Sequence, residues 1–161
     1  MYATIKKSSH IVSLLLMVLT ATVTGVIYYD KNNPDIELEC SATNNWVKLP
    51  GGYKLNDTMT LILGEGKKGR IHLSGIIENK DVEYLLSRTI LFTYRIVNGE
   101  TLSMRDITLV KGASDSFPDP LFNSMIYDLS EKEKELHIRK FYNSYILSTP
   151  YSAYSMCVEY N

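Results

Sequence analysis

The feature that most constrains this chain is a long stretch near its beginning without formal charge. No Asp, Glu, Lys or Arg occurs between Ser8 and Tyr29, and residues 11–19 are strongly apolar. As a helix, a segment that begins at Ile11 and ends at Tyr29 would be about 28 Å long. Because the hydrocarbon core of a bilayer is roughly 30 Å thick, the sequence predicts a single transmembrane helix over this segment.

The residues before this segment predict its orientation. Lys6 and Lys7 precede it, and no carboxylate does. The positive-inside rule then places residues 1–10 in the cytoplasm and the remainder of the chain on the outer side of the membrane. A cleaved signal peptide is the alternative, because a cut after Gly25 would leave Val23 and Gly25 at the positions that signal peptidase reads. Both interpretations export the same domain, and we favour the uncleaved anchor.

The rest of the chain has the composition of a single globular domain. Hydrophobic residues make up 45% of the 161 residues and charged residues 22%, which is typical of globular proteins. A polar linker over residues 30–35 leads into a domain over residues 36–161. The net charge of the whole chain is −1. A dedicated nucleic-acid-binding protein would be more basic, so we expect no nucleic-acid partner.

Two cysteines lie near the two ends of this domain, Cys40 and Cys157. In an oxidising compartment, two isolated cysteines indicate one disulfide, and a metal site would need further ligands at short spacing. One conflict stays open at this point. Cys40 shares a strand face with apolar residues, whereas Cys157 alternates with Ser155 and Glu159.

Alternating apolar and polar residues predict about seven strands. The segments begin near the following residues: Ile36, Met59, Ile71, Ile90, Leu102, Leu136 and Tyr151. Asn98 and Gly99 predict a tight hairpin, and a change of phase at Arg105 and Asp106 predicts a β-bulge. The predicted exported fold is therefore mainly β, of the α+β class. It has antiparallel strands in a meander or sandwich-like sheet, together with one short helix.

The short helix and the loop before it form the most unusual segment. Asp119 is expected to cap the helix, Pro120 fits its first position, and apolar residues recur with helical spacing as far as Leu129. In the loop over residues 114–119, Asp115 and Asp119 could bind a cation or exchange protons. A rigid, proline-fixed loop that ends in a helix cap is the favoured interpretation.

The sequence contains no recognisable catalytic set. The glycine-rich stretch over residues 64–69 lacks the spacing of a phosphate-binding loop and is expected to be a solvated hairpin tip. The histidines, His10, His72 and His137, have no partners at a metal or triad spacing. We therefore predict no enzymatic activity, no metal and no cofactor.

Tyrosines are concentrated near the end of the chain, with five of the twelve between residues 142 and 160. Exposed tyrosine is common at protein interfaces, although tyrosine also simply favours strands. The residues singled out as a possible interaction surface are Tyr145, Tyr151 and Tyr154, together with Phe117 of the proline-rich loop.

Four segments resemble the FidL-like family of bacterial inner-membrane proteins. They are residues 39–42 (ECSA), 88–94 (RTILFTY), 114–119 (SDSFPD) and 157–159 (CVE). The resemblance implies a membrane-anchored protein without a well-defined biochemical activity. It also implies that some relatives are encoded beside membrane-bound winged-helix transcription regulators. It supplies no functional residues that could be mapped onto this chain.

Two functions are consistent with these features. The first is a non-enzymatic, membrane-anchored accessory protein whose periplasmic domain modulates a protein partner in the inner membrane, such as a membrane-bound transcription regulator. The alternative is a periplasmic domain that binds a small ligand or inhibits a secreted enzyme. A large apolar pocket would favour the alternative, and an exposed interaction face would favour the accessory protein.

Overall fold

The structure, a computed structural model, describes residues 2–32, 36–150 and 153–159. It divides into two compact units, Met1–Pro34 and Asp35–Asn161.

The first unit is one helix, α1 (Tyr2–Asn32), of 31 residues. Its side chains are described over residues 12–28, and all of these are exposed. The hydroxyls of Thr20 and Thr22 donate hydrogen bonds to the carbonyls of Met17 and Leu19 at 3.0 and 2.8 Å. The Thr24 hydroxyl bonds to the Thr20 carbonyl. Each threonine is therefore satisfied within its own helix.

The single transmembrane helix predicted from Ile11 to Tyr29 is not supported by this structure. Within residues 2–32 and the other described segments, no helix is both long enough and apolar enough to cross a membrane.

The second unit is a closed antiparallel barrel of eight strands in sequential order. The strands are β1 (Leu38–Lys48), β2 (Lys54–Gly64), β3 (Lys68–Asn79), β4 (Val82–Asn98), β5 (Thr101–Lys111), β6 (Lys134–Phe141), β7 (Ser144–Ser148) and β8 (Ala153–Glu159). One short helix, α2 (Asp119–Met125), lies between β5 and β6. The predicted β-rich meander is thus confirmed, and the structure adds its closure into a barrel.

The strand count is eight rather than seven because the segment predicted as one strand over residues 136–147 turns back on itself. β6 pairs with β7 from His137 opposite Ser148 to Phe141 opposite Ser144. Tyr142 makes the turn with a positive φ of 56°. Because a non-glycine residue seldom adopts this conformation, this turn was not predicted from the sequence.

The up-and-down order places the connections alternately at two ends of the barrel. The end where β1 begins, at Leu38, is called the bottom. It also carries the β2–β3, β4–β5 and β6–β7 turns. The opposite end is called the top. It carries the β1–β2, β3–β4 and β7–β8 connections and the long β5–β6 segment with α2. The predicted hairpin at Asn98 and Gly99 is confirmed as the β4–β5 turn.

The barrel has two well-paired parts and two short seams. β2, β3 and β4 pair along nearly their whole lengths. By contrast, β5 pairs with β6 only over residues 101–104. Among the described residues, β1 and β8 pair where Cys40 and Ser41 lie opposite Glu159 and Val158. The five strands β1–β5 therefore form one extensive sheet that the short β6–β8 meander closes.

The predicted Cys40–Cys157 disulfide is present and joins β1 to β8. Both cysteines are fully buried and belong to the core. The conflict between the two strand faces disappears because Cys157 faces the interior while its apolar neighbours Met156 and Val158 are exposed. The bond covalently fastens the seam that has the fewest paired residues.

Candidate functional site

The most unusual buried group of the barrel is Arg88, whose side chain is 0% exposed. It lies on β4 in the same alternation as the buried residues Ile90 and Phe92, and so faces the interior. Its Nε and Nη2 atoms donate to the two carboxylate oxygens of Asp115 at 3.1 and 3.2 Å. Nη2 also donates to the Phe117 carbonyl at 2.5 Å. This bidentate geometry is the strongest form of arginine–carboxylate pairing.

Two further charges complete what we call the Arg88 cluster: Arg88, Lys111, Asp115 and Asp119. Arg88 Nη2 lies 2.8 Å from Asp119 Oδ1, and Lys111 Nζ lies 3.5 Å from Asp115 Oδ1 and 3.3 Å from Asp119 Oδ1. Two cations thus balance two carboxylates. Burying an ion is costly unless it is paired and hydrogen-bonded. The balance of charge meets the first requirement, whereas the buried Nη1 of Arg88 has no hydrogen-bond partner among the described residues.

The pKa values of both carboxyl groups reflect this pairing. Burial raises the pKa of Asp115, but hydrogen bonds from Arg88 and the Ser87 amide outweigh burial and leave it below its usual value. The hydrogen bond from Lys111 is the main cause that lowers the pKa of Asp119. Both groups are therefore ionised at neutral pH, as acceptors of fixed bonds rather than as proton carriers.

The Arg88 cluster fixes the loop and helix that cover the top of the barrel. The Asp115 carboxylate also accepts hydrogen bonds from the amides of Ser87 and Phe117 at 2.8 and 3.1 Å. The guanidinium carbon of Arg88 lies 4.3 Å from the ring centroid of Phe122, the buried residue of α2. These contacts hold the loop over residues 114–119 in place, as the favoured interpretation predicted. The predicted cap is wrong: the residue at the N-cap position is Pro118, which makes no side-chain cap hydrogen bond, and Pro120 is the second helical residue rather than the first. The Asp119 carboxylate pairs with Arg88 and Lys111 instead of capping the helix.

Phe117 was predicted as part of an interaction surface, and the structure corrects this. Its side chain is 0% exposed. Its ring packs edge-on against Tyr53 and Tyr84, with centroid distances of 6.0 and 5.5 Å. It is a core residue because the loop folds inward over the top of the barrel, where an aromatic ring fills the space between strand ends.

The chain that follows α2 forms one wall of a groove. α2 ends at Met125, earlier than the predicted Leu129, and the amides of Ile126 and Tyr127 both donate to the Phe122 carbonyl. Asp128 then accepts hydrogen bonds from the amide and hydroxyl of Ser130, both at 2.8 Å. These bonds turn the chain out of the helix, so residues 129–133 run back towards β6.

We call the β5 groove the space between this segment and β5, with a volume of about 640 Å³. Its lining residues are Arg105, Asp106, Ile107, Thr108, Leu109, Leu129, Glu131, Lys132 and Glu133. The predicted bulge lies at its end, where Asp106 has a positive φ of 51° and the register with β4 shifts. In the described part of the chain, residues 107–111 pair with β4 but with no strand on their other side. The groove therefore presents an open strand edge.

Glu133 attaches the wall of the β5 groove to the sheet. Arg105 Nη2 donates to both of its carboxylate oxygens at 3.0 Å, and Arg95 Nη2 donates at 3.3 Å. The Ser103 hydroxyl donates to the same carboxylate. These bonds, chiefly those from Ser103 and Arg105, lower the pKa of Glu133 to about 2. The width of the groove is thus set by an ionised carboxylate.

The other predicted interaction residues remain predictions. Tyr145 is half-buried and packs against the core, with Lys140 Nζ 5.4 Å from its ring centroid. Tyr151 lies outside the described residues. The backbone of Tyr154 belongs to β8, but its side chain lies outside the described part of the structure.

Sequence reasoning missed both Arg88 and the β5 groove. Arg88 could have been found, because it shares its strand parity with Ile90, Phe92 and Tyr94 and therefore interrupts a buried face. Glu133 carried no such signal, since it stood in what was expected to be a charged turn. Among the described residues, no group of three or more His, Cys, Asp or Glu could hold a metal ion.

Comparison with known proteins identifies the family of this chain. The family described as "FidL-like putative membrane protein" matches residues 75–157, just over half of the chain. The chain belongs to this FidL-like family, which confirms the resemblance inferred from the sequence. The matched region contains the Arg88 cluster, the β5 groove and Cys157. No match was found among curated proteins or among solved structures.

Proposed function

We propose that this protein is a non-enzymatic accessory protein of the bacterial inner membrane, attached by α1 and with its barrel in the periplasm. In this proposal the β5 groove binds an extended segment of a protein partner that resides in the same membrane. A membrane-bound transcription regulator is the kind of partner that the family resemblance suggests. The observation that carries the proposal is the open edge of β5 beside a groove.

The binding mode that fits this geometry is addition of a strand. An extended peptide beside an open strand edge gains main-chain hydrogen bonds, and its alternate side chains reach the neighbouring walls. The open edge over residues 107–111 is about 17 Å long at roughly 3.4 Å per residue. Ile107 and Leu109 are half-buried towards the barrel, and Thr108 and Val110 are exposed.

The charges on β5 favour a different protein over a second copy of this chain. In a symmetric antiparallel pair centred on Thr108, Arg105 of each copy would lie opposite Lys111 of the other. Like charges directly opposite each other destabilise such a pair. The bulge at Asp106 also interrupts the edge, as protected edge strands commonly do. Self-association through β5 is therefore disfavoured.

Attachment to the membrane is supported by α1 and by the family description. The apolar side chains of α1 are exposed in the described residues, and its threonine hydroxyls are bonded within the helix. Attachment confines both partners to one surface and raises their effective concentration. A weak interface of under about 1,200 Å² would then be enough for regulation.

One form of the alternative function, a small-ligand site inside the barrel, receives less support than the accessory protein does. A cavity of about 70 Å³ lies among Met59, Ile71, Ile90 and Met104. Small-molecule sites usually measure roughly 300–1,000 Å³. Inward-facing side chains therefore occupy most of the space that a ligand would need.

A photo-crosslinking amino acid at Thr108 tests the proposal in intact cells. Thr58 is the matched control, because it is also an exposed strand threonine but its strand is paired on both sides. We expect position 108, but not position 58, to give one discrete adduct in the inner-membrane fraction. Mass spectrometry should place the crosslink in an extended segment of an inner-membrane protein. Equal labelling from both positions, or no adduct from position 108, would contradict the proposal.

A further inference from the structure

The bottom of the barrel exposes apolar side chains that the fold does not require there. Tyr142 is 83% exposed, Phe141 52%, Met156 54% and Val158 50%. The rings of Phe141 and Tyr142 stack edge-to-face with centroids 4.9 Å apart. They form the β6–β7 turn, and with Met156 and Val158 they make up what we call the aromatic tip.

The register shows that these residues form one continuous surface. Ser144 of β7 lies opposite both Phe141 of β6 and Val158 of β8. Met156 lies two residues before Val158 in β8 and is exposed on the same outer face. In β8, the large apolar residues Met156 and Val158 are exposed, whereas large apolar residues of a barrel strand usually face the interior. Contiguous exposed apolar surface of this kind commonly marks a protein or membrane contact.

The chain enters the barrel at the end that carries this surface. Only residues 33–37 separate the last residue of α1 from Leu38, the first residue of β1. Even a fully extended chain of that length reaches about 20 Å. Cys40 lies opposite Glu159, and the Glu159 amide donates to the Asn143 carbonyl at 3.3 Å. The aromatic tip is therefore at the same end of the barrel as Leu38, where the chain enters β1.

We propose that the aromatic tip inserts into the lipid headgroup region of the membrane to which α1 is attached. This inference rests on the proposed attachment. Tyrosine and other amphipathic aromatic side chains concentrate at this depth, where the ring contacts apolar groups and the polar atom reaches water.

Apolar insertion rather than charge drives this contact. Arg139 Nε pairs with Glu100 at 3.2 Å, and Lys140 Nζ lies 3.9 Å from Glu159. Glu37 and Glu39 also lie at the bottom. Because opposite charges are mixed there, anionic lipid gains little. The contact should therefore change little between low and high salt, since screening weakens only charge interactions.

The single tryptophan of the chain provides an internal control. Trp46 is 58% exposed on β1, near the top. The test compares the full-length wild type, whose only tryptophan is Trp46, with the Tyr142→Trp/Trp46→Phe double variant. Both are reconstituted into phosphatidylcholine vesicles whose acyl chains carry bromine, which quenches tryptophan at short range. Flotation of the vesicles first measures attachment.

We expect both proteins to float and only the double variant to be quenched. Insertion by roughly 5–10 Å should remove at least about half of its emission and shift the rest to shorter wavelength. Wild-type emission should stay within about a tenth of its value in unbrominated vesicles, because Trp46 is at the opposite end. Flotation without quenching of the double variant, or equal quenching of both proteins, would overturn this inference and leave the attachment intact. Failure to float would overturn both.

A protein occupant of the tip would give a different result. A photo-crosslinking residue at position 142 should label lipid in intact cells. A discrete protein adduct, or one with twice the mass of this chain, would instead assign the tip to a partner protein or to a second copy and overturn the inference.

Discussion

The two ends of the barrel contain similar residue types in opposite arrangements. At the top, the charged and aromatic side chains point inward, where Arg88 pairs with Asp115 and the ring of Phe117 packs between Tyr53 and Tyr84. At the bottom, Phe141 and Tyr142 point outward. The top is therefore closed by its own side chains, whereas the bottom is fastened by a disulfide and leaves its aromatic rings exposed. Aromatic content alone does not distinguish a core from a contact surface.

Removing the charge of Arg88 at the top of the barrel should produce the largest loss of stability. Arg88→Met keeps most of the side-chain volume but leaves Asp115 buried without its main partner. Removing one member of a buried ion pair costs about 3–5 kcal/mol. We expect a decrease of that size in the free energy of unfolding, measured by urea denaturation of the full-length protein. Amide hydrogen exchange should accelerate first in α2.

The matched control for this variant is Arg70→Met, on the exposed face of β3. Exposed substitutions of this kind usually change stability by less than about 0.5 kcal/mol. Equal losses from both variants would show that Arg88 contributes no more than a surface arginine does, and the top would lose its special role.

Removing the disulfide at the bottom of the barrel should produce a slightly smaller loss of stability. The Cys40–Cys157 bond closes a loop with a sequence separation of 117 residues and fastens the shortest seam of the barrel. Replacing both cysteines with serine should lower the free energy of unfolding by about 2–5 kcal/mol. Faster hydrogen exchange should appear in β8 and the start of β1, while α2 stays protected. Acceleration that begins in α2 would instead mean that the two ends do not unfold separately.

Protonation of Glu133 at low pH should weaken the attachment of residues 129–133, the wall of the β5 groove. We expect the smallest loss of stability from this change. Because the folded protein holds the pKa of Glu133 at about 2, its bonds contribute stability above the unfolded pKa of about 4.5. That contribution is lost as the pH falls from about 4.5 towards 2. Glu133→Gln should therefore lower the urea midpoint at pH 6 and have little effect at pH 2. An equal effect at both pH values would show that charge on Glu133 does not hold the groove.

The sequence predicted local structure well where the alternation of side chains was regular. The β2–β3 hairpin, the turn at Asn98 and Gly99 and the bulge at Asp106 are present as expected. The sequence failed where a residue acts against its local pattern. Tyr142 makes a turn without glycine, and β8 exposes Met156 while it buries Cys157. Both exceptions belong to the aromatic tip.

The candidate site also combines parts that the local sequence predicts with parts that it does not. The loop over residues 114–119 and the short helix after it follow from proline and aspartate chemistry within a few residues. The β5 groove does not, because it exists only where β6 stops pairing with β5 beyond Met104. Nothing local to residues 105–111 indicates that the next strand will be short.

By itself, the sequence determined the apolar N-terminal segment, most of the strands, the disulfide and the family. The segment and the strands follow from side-chain periodicity within short stretches of chain. The disulfide follows from the presence of two cysteines in the whole sequence. Only the tertiary structure decided that the strands close into a barrel and that Arg88 is neutralised by a loop 27 residues away. Only the tertiary structure also put an open strand edge and an aromatic tip at different places on that barrel. These features depend on pairings between distant residues, whose energies are set by the complete fold and not by any one segment.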